Sequence, residues 1–372
     1  MKLSRLKALL RREHWVLASV LIVVALVLAR AWFVQVEQAD FLQQQAQVRQ
    51  VRLLELPASR GVIYDRHGQV LALSTPVADV WLDPKQACPQ IDALRPAVEV
   101  LQRNWMALRK RVLGRCDSRF MYLQRQVIPD VAQRIQAMKI PGLYVTPTYK
   151  RYYPQAEVAA HLLGFTNIDD VGQAGLEKVF DHWLRGTPGQ IRVIKDLRGQ
   201  VVDFYDTVRP LKPGQDMVLA LDERIQYFTY RALKRAMIQH QARAAAAIVL
   251  DARTGEILAL ASQPGYNPND RSQIVPQRTR NHAVSDLIEP GSTIKPFVMA
   301  KALDVGVVAA DEQIDTSPGV LKVGDRLVRD DTDKGVLTLT GIIKRSSNVG
   351  ISKIALRMQP QQMWSLFHQL GL

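Results

Sequence analysis

From Trp15 to Ala29 every position but Ser19 is apolar, and beyond Arg30 the run resumes through Ala31, Trp32, Phe33, Val34 and Val36. Together these positions reach the roughly 20 residues that a helix needs to cross a bilayer. Arg30 falls near one end, where its long stem can carry the charge to the headgroups beside Trp32. Ahead of the run stand Lys2, Arg5, Lys7, Arg11 and Arg12 against Glu13. This bias predicts an N-terminus in the cytoplasm and export of everything after about residue 37. A cleaved signal peptide would be followed by a small-x-small site, and Arg30, Trp32 and Phe33 occupy that stretch. The expectation is a cytoplasmic tail over 1–14 and an uncleaved anchor over 15–36.

Past a linker at Gln43 to Leu56, alternation around a Gly turn predicts a hairpin from Arg60 to Leu73. Leu94, Val98, Leu101, Trp105, Leu108 and Val112 recur at steps of three and four, the pattern of one amphipathic helix closed by Gly114. Pro129 opens a second helix with Val131, Ile135 and Met138 on one face, ended by Pro141-Gly142. Strands are predicted at Leu143 to Tyr149, Gln190 to Ile194 and Met217 to Leu221. Asp222 then caps a long helix to about His240. Ala246 to Leu250 and Glu256 to Ala261 read as an antiparallel hairpin. The texture changes at Lys212-Pro213-Gly214, which places a domain boundary near 215. The fold class expected is α+β for 37–215, and a sheet with packed helices from 216 onward.

The formal net charge is +14, and much of it is local: residues 102 to 151 hold eleven Lys or Arg against Asp117 and Asp130. Because the arginines lie mainly off the apolar stripe, this region is expected to be exposed and to face an anionic membrane or a partner. No zinc-finger spacing, helix-turn-helix signal or basic–aromatic platform accompanies the charge, so nucleic acid is not expected as a partner. The two cysteines, Cys88 and Cys116, exclude a disulfide scaffold but leave one bridge open. The seven histidines are scattered without metal-ligand spacing, and no Walker or Rossmann glycine pattern occurs. Neither metal nor cofactor is implied.

Candidate chemistry begins at Pro290-Gly291-Ser292-Thr293-Ile294-Lys295, which opens an apolar helix running to about Val305 with Gly306 as its stop. A helix N-terminus offers backbone N–H groups and a positive dipole end to an oxyanion formed beside Ser292. Lys295, one turn on, can reach back to the hydroxyl and serve as its base if burial or a neighbouring cation depresses its pKa. Ser-x-x-Lys alone is weak, since Ser4 to Lys7 has the same spacing in the tail. It gains weight from Ser346-Ser347-Asn348, 54 residues later, where a hydroxyl and a carboxamide two residues apart can relay a proton and bind an amide.

These two elements resemble the first active-site motifs of penicillin-binding transpeptidases and serine β-lactamases. Arg60-Gly61 with Asp65-Arg66-x-Gly68, Arg151-Tyr152-Tyr153-Pro154 with Gly164, and Gly175-Leu176-Glu177 resemble the pedestal of class B penicillin-binding proteins. His161 to Asn167, Glu289 to Thr293 and Ser346 to Lys353 are most similar to the septal, division-specific branch. The resemblance implies a peptidoglycan D,D-transpeptidase anchored by a single pass in the bacterial inner membrane, with its catalytic domain in the periplasm and no cofactor. Ser292 would form the acyl-enzyme and Lys295 would deprotonate it. Ser346 would hand a proton to the leaving amine, and Asn348 would hold the donor; Ser346 and Asn348 together bind substrate. Arg60, Gly61, Asp65, Arg151 and Glu177 would be structural, with ion pairs holding the pedestal.

The implied partners are stem peptides on lipid-linked or nascent glycan strands, β-lactams, a membrane-embedded glycosyltransferase and other division proteins. The third family motif, Lys-[Ser/Thr]-Gly, occurs nowhere in the 372 residues, so residues 216–372 are expected to be the N-terminal portion of an α/β penicillin-binding transpeptidase domain, an antiparallel sheet with packed helices, incomplete at its C-terminus. Two other classes stay open: a β-lactam-acylated sensor or hydrolase, and a non-enzymatic division scaffold. A reporter fused after residue 60 should be active only outside the cytoplasm. Activity confined to the cytoplasm refutes the single crossing.

Overall fold

The computed structural model describes residues 2–38, 51–195 and 201–372. They fall into two compact units, Met1–Asp286 and Leu287–Leu372. The first opens with helix α1 (Lys2–Trp32), continued by a wider π-helical turn at Phe33–Glu37. Within it His14–Glu37 has a mean hydropathy of 2.5 and is long and apolar enough to cross a membrane. Its 24 residues rise about 36 Å, against a hydrocarbon core of about 30 Å.

Among the described residues, the strands β1 (Val51–Leu56), β2 (Ile63–Tyr64), β3 (Val70–Leu82), β4 (Met121–Val127), β5 (Leu143–Tyr152), β6 (Gly189–Lys195), β7 (Val201–Arg209) and β8 (Met217–Val218) come next. The expected linker at Gln43 to Leu56 is corrected at its end, where β1 pairs antiparallel with β6; residues 43–50 lie outside the described residues. The partner strand begins 133 residues after β1 ends, beyond the reach of local pattern. The expected hairpin forms between β2 and β3, and β2 also pairs in parallel with β8. Long strand β3 is flanked by β4 and β5, both antiparallel.

Helices α2 (Arg95–Val100), α3 (Trp105–Leu113) and α4 (Pro129–Ala137) cover one face of this sheet. The single helix expected across Leu94 to Val112 is broken after Val100. Gln102 adopts a positive φ of 54°, and the Asn104 carboxamide accepts the Ala107 N–H at 2.9 Å to start a new helix. Both pieces still bury the predicted stripe, since Leu94, Val98, Leu108 and Val112 join Val80, Leu82 and Leu123 in one core. The question left open by the cysteines is settled: Cys88 and Cys116 form a disulfide that ties the turn before α2 to the end of α3.

The expectation of an exposed basic region needs correction at two arginines. Arg125 is paired with Asp79 at 2.9 Å and with Asp169 at 2.8 Å, and Arg151 is buried. Arg109 and Arg111 remain at the surface, the latter donating to the Tyr122 carbonyl.

Arg151 belongs to a buried ionic cluster built on Glu177 in helix α5 (Gly175–Val179). Arg60 donates twice to Glu177 Oε2, at 3.0 and 2.7 Å, and Arg151 Nε donates to Oε1 at 2.6 Å. Two further donors reach out from the cluster: Arg60 Nη1 binds Asp181 and the Asp170 carbonyl, and Arg151 Nη1 binds the Gly61 carbonyl. Two glycines let the backbones close around it. A Cβ on Gly61 would sit 1.8 Å from the Gln215 carbonyl oxygen; Gly164, at φ +78°, would place one 1.8 Å from that of Ala174. Asp65, expected among the ion pairs, instead accepts the backbone N–H groups of His67, Gln69 and Glu223.

Glu223 is the first residue of helix α6 (Glu223–Gln239), capped by Asp222 as expected. The helix packs on the antiparallel hairpin β9 (Ala245–Leu250) and β10 (Ile257–Gln263). Buried Gln226 fastens the two, its carboxamide bonding both the N–H and the carbonyl of Leu260.

The second unit starts with a 3-10 turn at Gly291–Ile294 that runs into helix α7 (Lys295–Asp304), stopped near Gly306 at φ +72°. Strands β11 (Gln313–Asp315) and β14 (Val336–Thr338) pair, as do β12 (Val320–Val323) and β13 (Arg326–Arg329). Helices α8 (Leu339–Lys344), α9 (Asn348–Ala355) and α10 (Pro360–Gln369) complete it. Val298, Met299, Ala302, Ile314, Leu337, Ile342 and Ile354 form its core.

Asp170, beside the ionic cluster, supplies a pH test. Burial raises its carboxyl to about 6 against the opposing pull of Arg60 and Arg151, and its Oδ1 is buried without a hydrogen-bond partner. A folded-state pKa above the unfolded value means that stability falls as pH rises from about 4 through 6, because only the unfolded chain ionises freely. Asp170→Asn keeps a residue suited to the native φ of 59°. It should stabilise the protein by up to about 2–3 kcal/mol at pH 7–8, an advantage that disappears below about pH 4. Urea unfolding across pH measures this, and parallel profiles for the two proteins would refute it.

Candidate active site

Ser292 lies exposed in the 3-10 turn, and Lys295, three residues on, is the first residue of α7 and 7% exposed. The turn is opened by Gly291 at φ +54°, a conformation in which glycine carries no Cβ penalty. Because Lys295 sits on the inner side of the helix start, its amine points across to the segment between α8 and α9. There it donates to the Ser346 carbonyl at 2.8 Å, to Ser346 Oγ at 3.1 Å and to Asn348 Oδ1 at 2.6 Å.

The reach back along the helix expected of Lys295 is therefore replaced by a bridge. Ser346 Oγ, held by the lysine, lies 3.0 Å from Ser292 Oγ. All four residues singled out from sequence, Ser292, Lys295, Ser346 and Asn348, meet in one hydrogen-bonded chain. Its centre is strained: Ser346 has a φ of +51°, unusual for a residue with a Cβ. That conformation turns its hydroxyl toward Ser292 while its carbonyl faces the amine. The Asn348 carboxamide uses one N–H on the Arg329 carbonyl at 2.8 Å and keeps a second for an incoming carbonyl.

The charge state of Lys295 follows from its surroundings. Burial is the largest influence and lowers its pKa, the Asp330 carboxylate raises it, and the Lys334 ammonium lowers it again. The net effect is a depressed amine pKa, which favours a lysine that accepts a proton.

Sequence reading missed Asp330. Its carboxylate accepts the Ser347 hydroxyl at 2.6 Å, the Asn348 N–H, and the Val349 N–H at 3.1 Å. It thus sits at the N-terminus of α9, where a negative charge meets unpaired N–H groups and the positive dipole end. Ser347, fully buried, accepts the Gly350 N–H as the cap of the same helix. The only clue in sequence was an acidic run, Asp330-Asp331-Thr332-Asp333, that nothing local connected to Asn348. The β12–β13 hairpin makes that connection.

Residues 55–219 match the penicillin-binding protein dimerisation domain, and residues 245–372 match the penicillin-binding protein transpeptidase domain. The chain is 40% identical over 365 residues to the probable peptidoglycan D,D-transpeptidase PenA of Neisseria meningitidis, covering 97% of this chain and 62% of the relative. To the peptidoglycan D,D-transpeptidase FtsI of Escherichia coli it is 37% identical over 358 residues, covering 95% and 60% respectively. The chain thus spans somewhat under two thirds of the length of these curated relatives.

Among solved structures, penicillin-binding protein 2X of Streptococcus thermophilus aligns with a TM-score of 0.66 at 23% identity, over 86% of this chain and 52% of that one. The Helicobacter pylori penicillin-binding protein PBP2, solved in complex with MreC, aligns at 0.67 and 22% identity, over 86% and 65%. These two share the fold.

Asp330→Asn should retain the shape of the side chain but turn an N–H toward donors. It should cost about 1–3 kcal/mol of stability, read by chemical denaturation of the second unit within the intact protein. An unchanged midpoint would remove Asp330 from the support of α9.

Proposed function

We propose, from the premise that this chain belongs to the penicillin-binding proteins that join a dimerisation domain to a transpeptidase domain, that it cross-links septal peptidoglycan through an acyl-enzyme on Ser292. The observation that carries this reading is the hydrogen-bonded chain from Lys295 Nζ through Ser346 Oγ to Ser292 Oγ. A buried lysine with a depressed pKa at one end and an exposed serine at the helix start at the other are the parts that acyl transfer requires.

In the first half-reaction Ser292 Oγ attacks the carbonyl carbon of the penultimate D-Ala of a stem peptide. Its proton passes by way of Ser346 to the neutral Lys295 amine, and the oxyanion forms beside the N–H groups at the start of α7. When the C–N bond breaks, that proton goes back through Ser346 to the nitrogen of the departing D-Ala. In the second half, an amine of a neighbouring stem peptide attacks the Ser292 ester, its proton passing by way of Ser346 to the neutral Lys295 amine and from there to Ser292 Oγ as the ester bond breaks. A new amide forms and Ser292 is released. The free N–H of Asn348 holds the donor carbonyl throughout. A β-lactam follows the first half only, because its leaving nitrogen stays tethered.

The pedestal to about residue 215 and the transpeptidase portion from 216 act on the outer side of the bacterial inner membrane, anchored by α1. The Cys88–Cys116 disulfide supports this placement, since such bridges persist in oxidising compartments. The partners are stem peptides on lipid-linked or nascent glycan strands, with a membrane-embedded glycosyltransferase and other division proteins beside them.

The test uses the protein expressed from its native gene. A fluorescent penicillin should label it covalently, and Ser292→Ala should abolish the label. Lys295→Ala or Ser346→Ala should slow acylation about 10²–10⁴-fold, the usual range for lost proton transfer. The acylation rate should rise with pH, through a midpoint below that of an ordinary lysine. Depletion should yield filaments with blocked septa. Full labelling of Ser292→Ala overturns the nucleophile, and rounded cells on depletion overturn the septal assignment.

A further inference from the structure

Lys334 lies in the connection between β13 and β14, and only 9% of its side chain is exposed. Sequence analysis gave it no role. Its ammonium donates to the Arg345 carbonyl at 2.7 Å and pairs with Asp331 at 2.8 Å. Arg345 immediately precedes Ser346, whose own carbonyl is held by Lys295 at 2.8 Å. Two ammonium groups thus fasten two successive carbonyls where the chain leaves α8. The residue between them is the one with a left-handed φ of 51°, a conformation that costs free energy unless its surroundings enforce it.

We propose that Lys334 is a positioning residue for acyl transfer at Ser292: it clamps the carbonyl before Ser346, fixes with Lys295 the strained backbone that aims the Ser346 hydroxyl, and places a second positive charge near the base. The proposal rests on the acyl-transfer reading for its consequence in rate, but not for its geometry.

The charges that bear on the Lys295 amine are few. Asp330, at the end of β13, favours its protonated form, and Lys334 opposes it. On α7 itself Lys301 and Asp304 neutralise one another at 2.8 Å, and on α9 Lys353 is turned to the Asp315 carbonyl. Asp331 partly offsets Lys334 from the far side of the clamp. Removing the Lys334 charge therefore leaves Asp330 less opposed, and Lys295 holds its proton to higher pH. Removing the clamp as well frees Ser346 to relax away from Ser292.

Three substitutions in the protein expressed from its native gene separate these effects. Lys334→Arg keeps the charge and donors, Lys334→Gln keeps a donor without charge, and Lys334→Met removes both. Competitive labelling with trace acetic anhydride, followed by mass spectrometry of the Lys295 peptide across pH 7–11, titrates that amine without any reaction at Ser292. Penicillin acylation is measured alongside.

Lys334→Gln and Lys334→Met should shift the Lys295 labelling midpoint to higher pH. Lys334→Met should slow acylation at neutral pH by about tenfold or more, as expected when a proton-transfer group is misplaced. Lys334→Arg should restore both. Coincident Lys295 labelling curves for the wild type and Lys334→Gln overturn the electrostatic role. Unchanged acylation in Lys334→Met, in a protein that labels at Ser292, overturns the positioning role. If Ser292 does not label at all while the Lys295 midpoint still moves with residue 334, the acyl-transfer reading fails and the Lys334 linkage stands.

Discussion

A carboxylate with no access to water must have its negative charge met from within, and Glu177 imposes that requirement on the first unit. It is fully buried, and two guanidiniums reach it from opposite parts of the chain, Arg60 just ahead of β2 and Arg151 near the end of β5. Burying such a pair is not in itself a large gain, because desolvation opposes the attraction. Its effect is specificity. Leaving any one member without its partners costs roughly 3–5 kcal/mol, so arrangements that separate these segments are excluded. The spare donors then fix backbone, holding the Gly61 and Asp170 carbonyls and so the approach to the β2–β3 hairpin.

The second unit uses the same economy at a smaller scale. Charged side chains here hold backbone groups: Lys295 the Ser346 carbonyl, Lys334 that of Arg345, and Asp330 the N–H groups at the start of α9. The outcome is a serine in a conformation that its own local preferences disfavour, poised 3.0 Å from a second serine. Strain of this kind persists only where several contacts overdetermine it, and three charged side chains do so here. The lysine pKa is depressed by burial of the amine, to which the Lys334 ammonium adds and which the Asp330 carboxylate opposes.

Helix edges, caps and the nucleophile motif were legible because their signals are local. Asp222 before α6, the stop at Gly306 and the stripe from Leu94 to Val112 depend on neighbours within a few turns. Even the break after Val100 was compatible with the stripe, because both helices pack against one sheet. Ser292 and Lys295 announce themselves by spacing on a helix start, and Ser346 and Asn348 by spacing on another. Their union was inferred from resemblance, since 54 residues of chain separate the first and second elements.

Sequence by itself therefore determined the apolar span, the helix capped by Asp222 with the hairpin after it, the four residues of the candidate site and the family to which they point. Tertiary structure decided what each of those residues touches. It pairs β1 with a strand far along the chain, joins Cys88 to Cys116, pairs Arg125 with two carboxylates and buries Arg151 within a region that reads as a basic surface, and turns Lys295 away from its own helix toward Ser346. The physical reason is common to all four. A periodic pattern reports which face of an element avoids water, whereas the partner of a charge, a thiol or a strand edge is fixed only when distant segments are brought together. Asp330 and Lys334 are the sharpest instances: nothing local in sequence connects them to Asn348 or Arg345, and both hold the segment around Ser346 once the hairpin before them has folded.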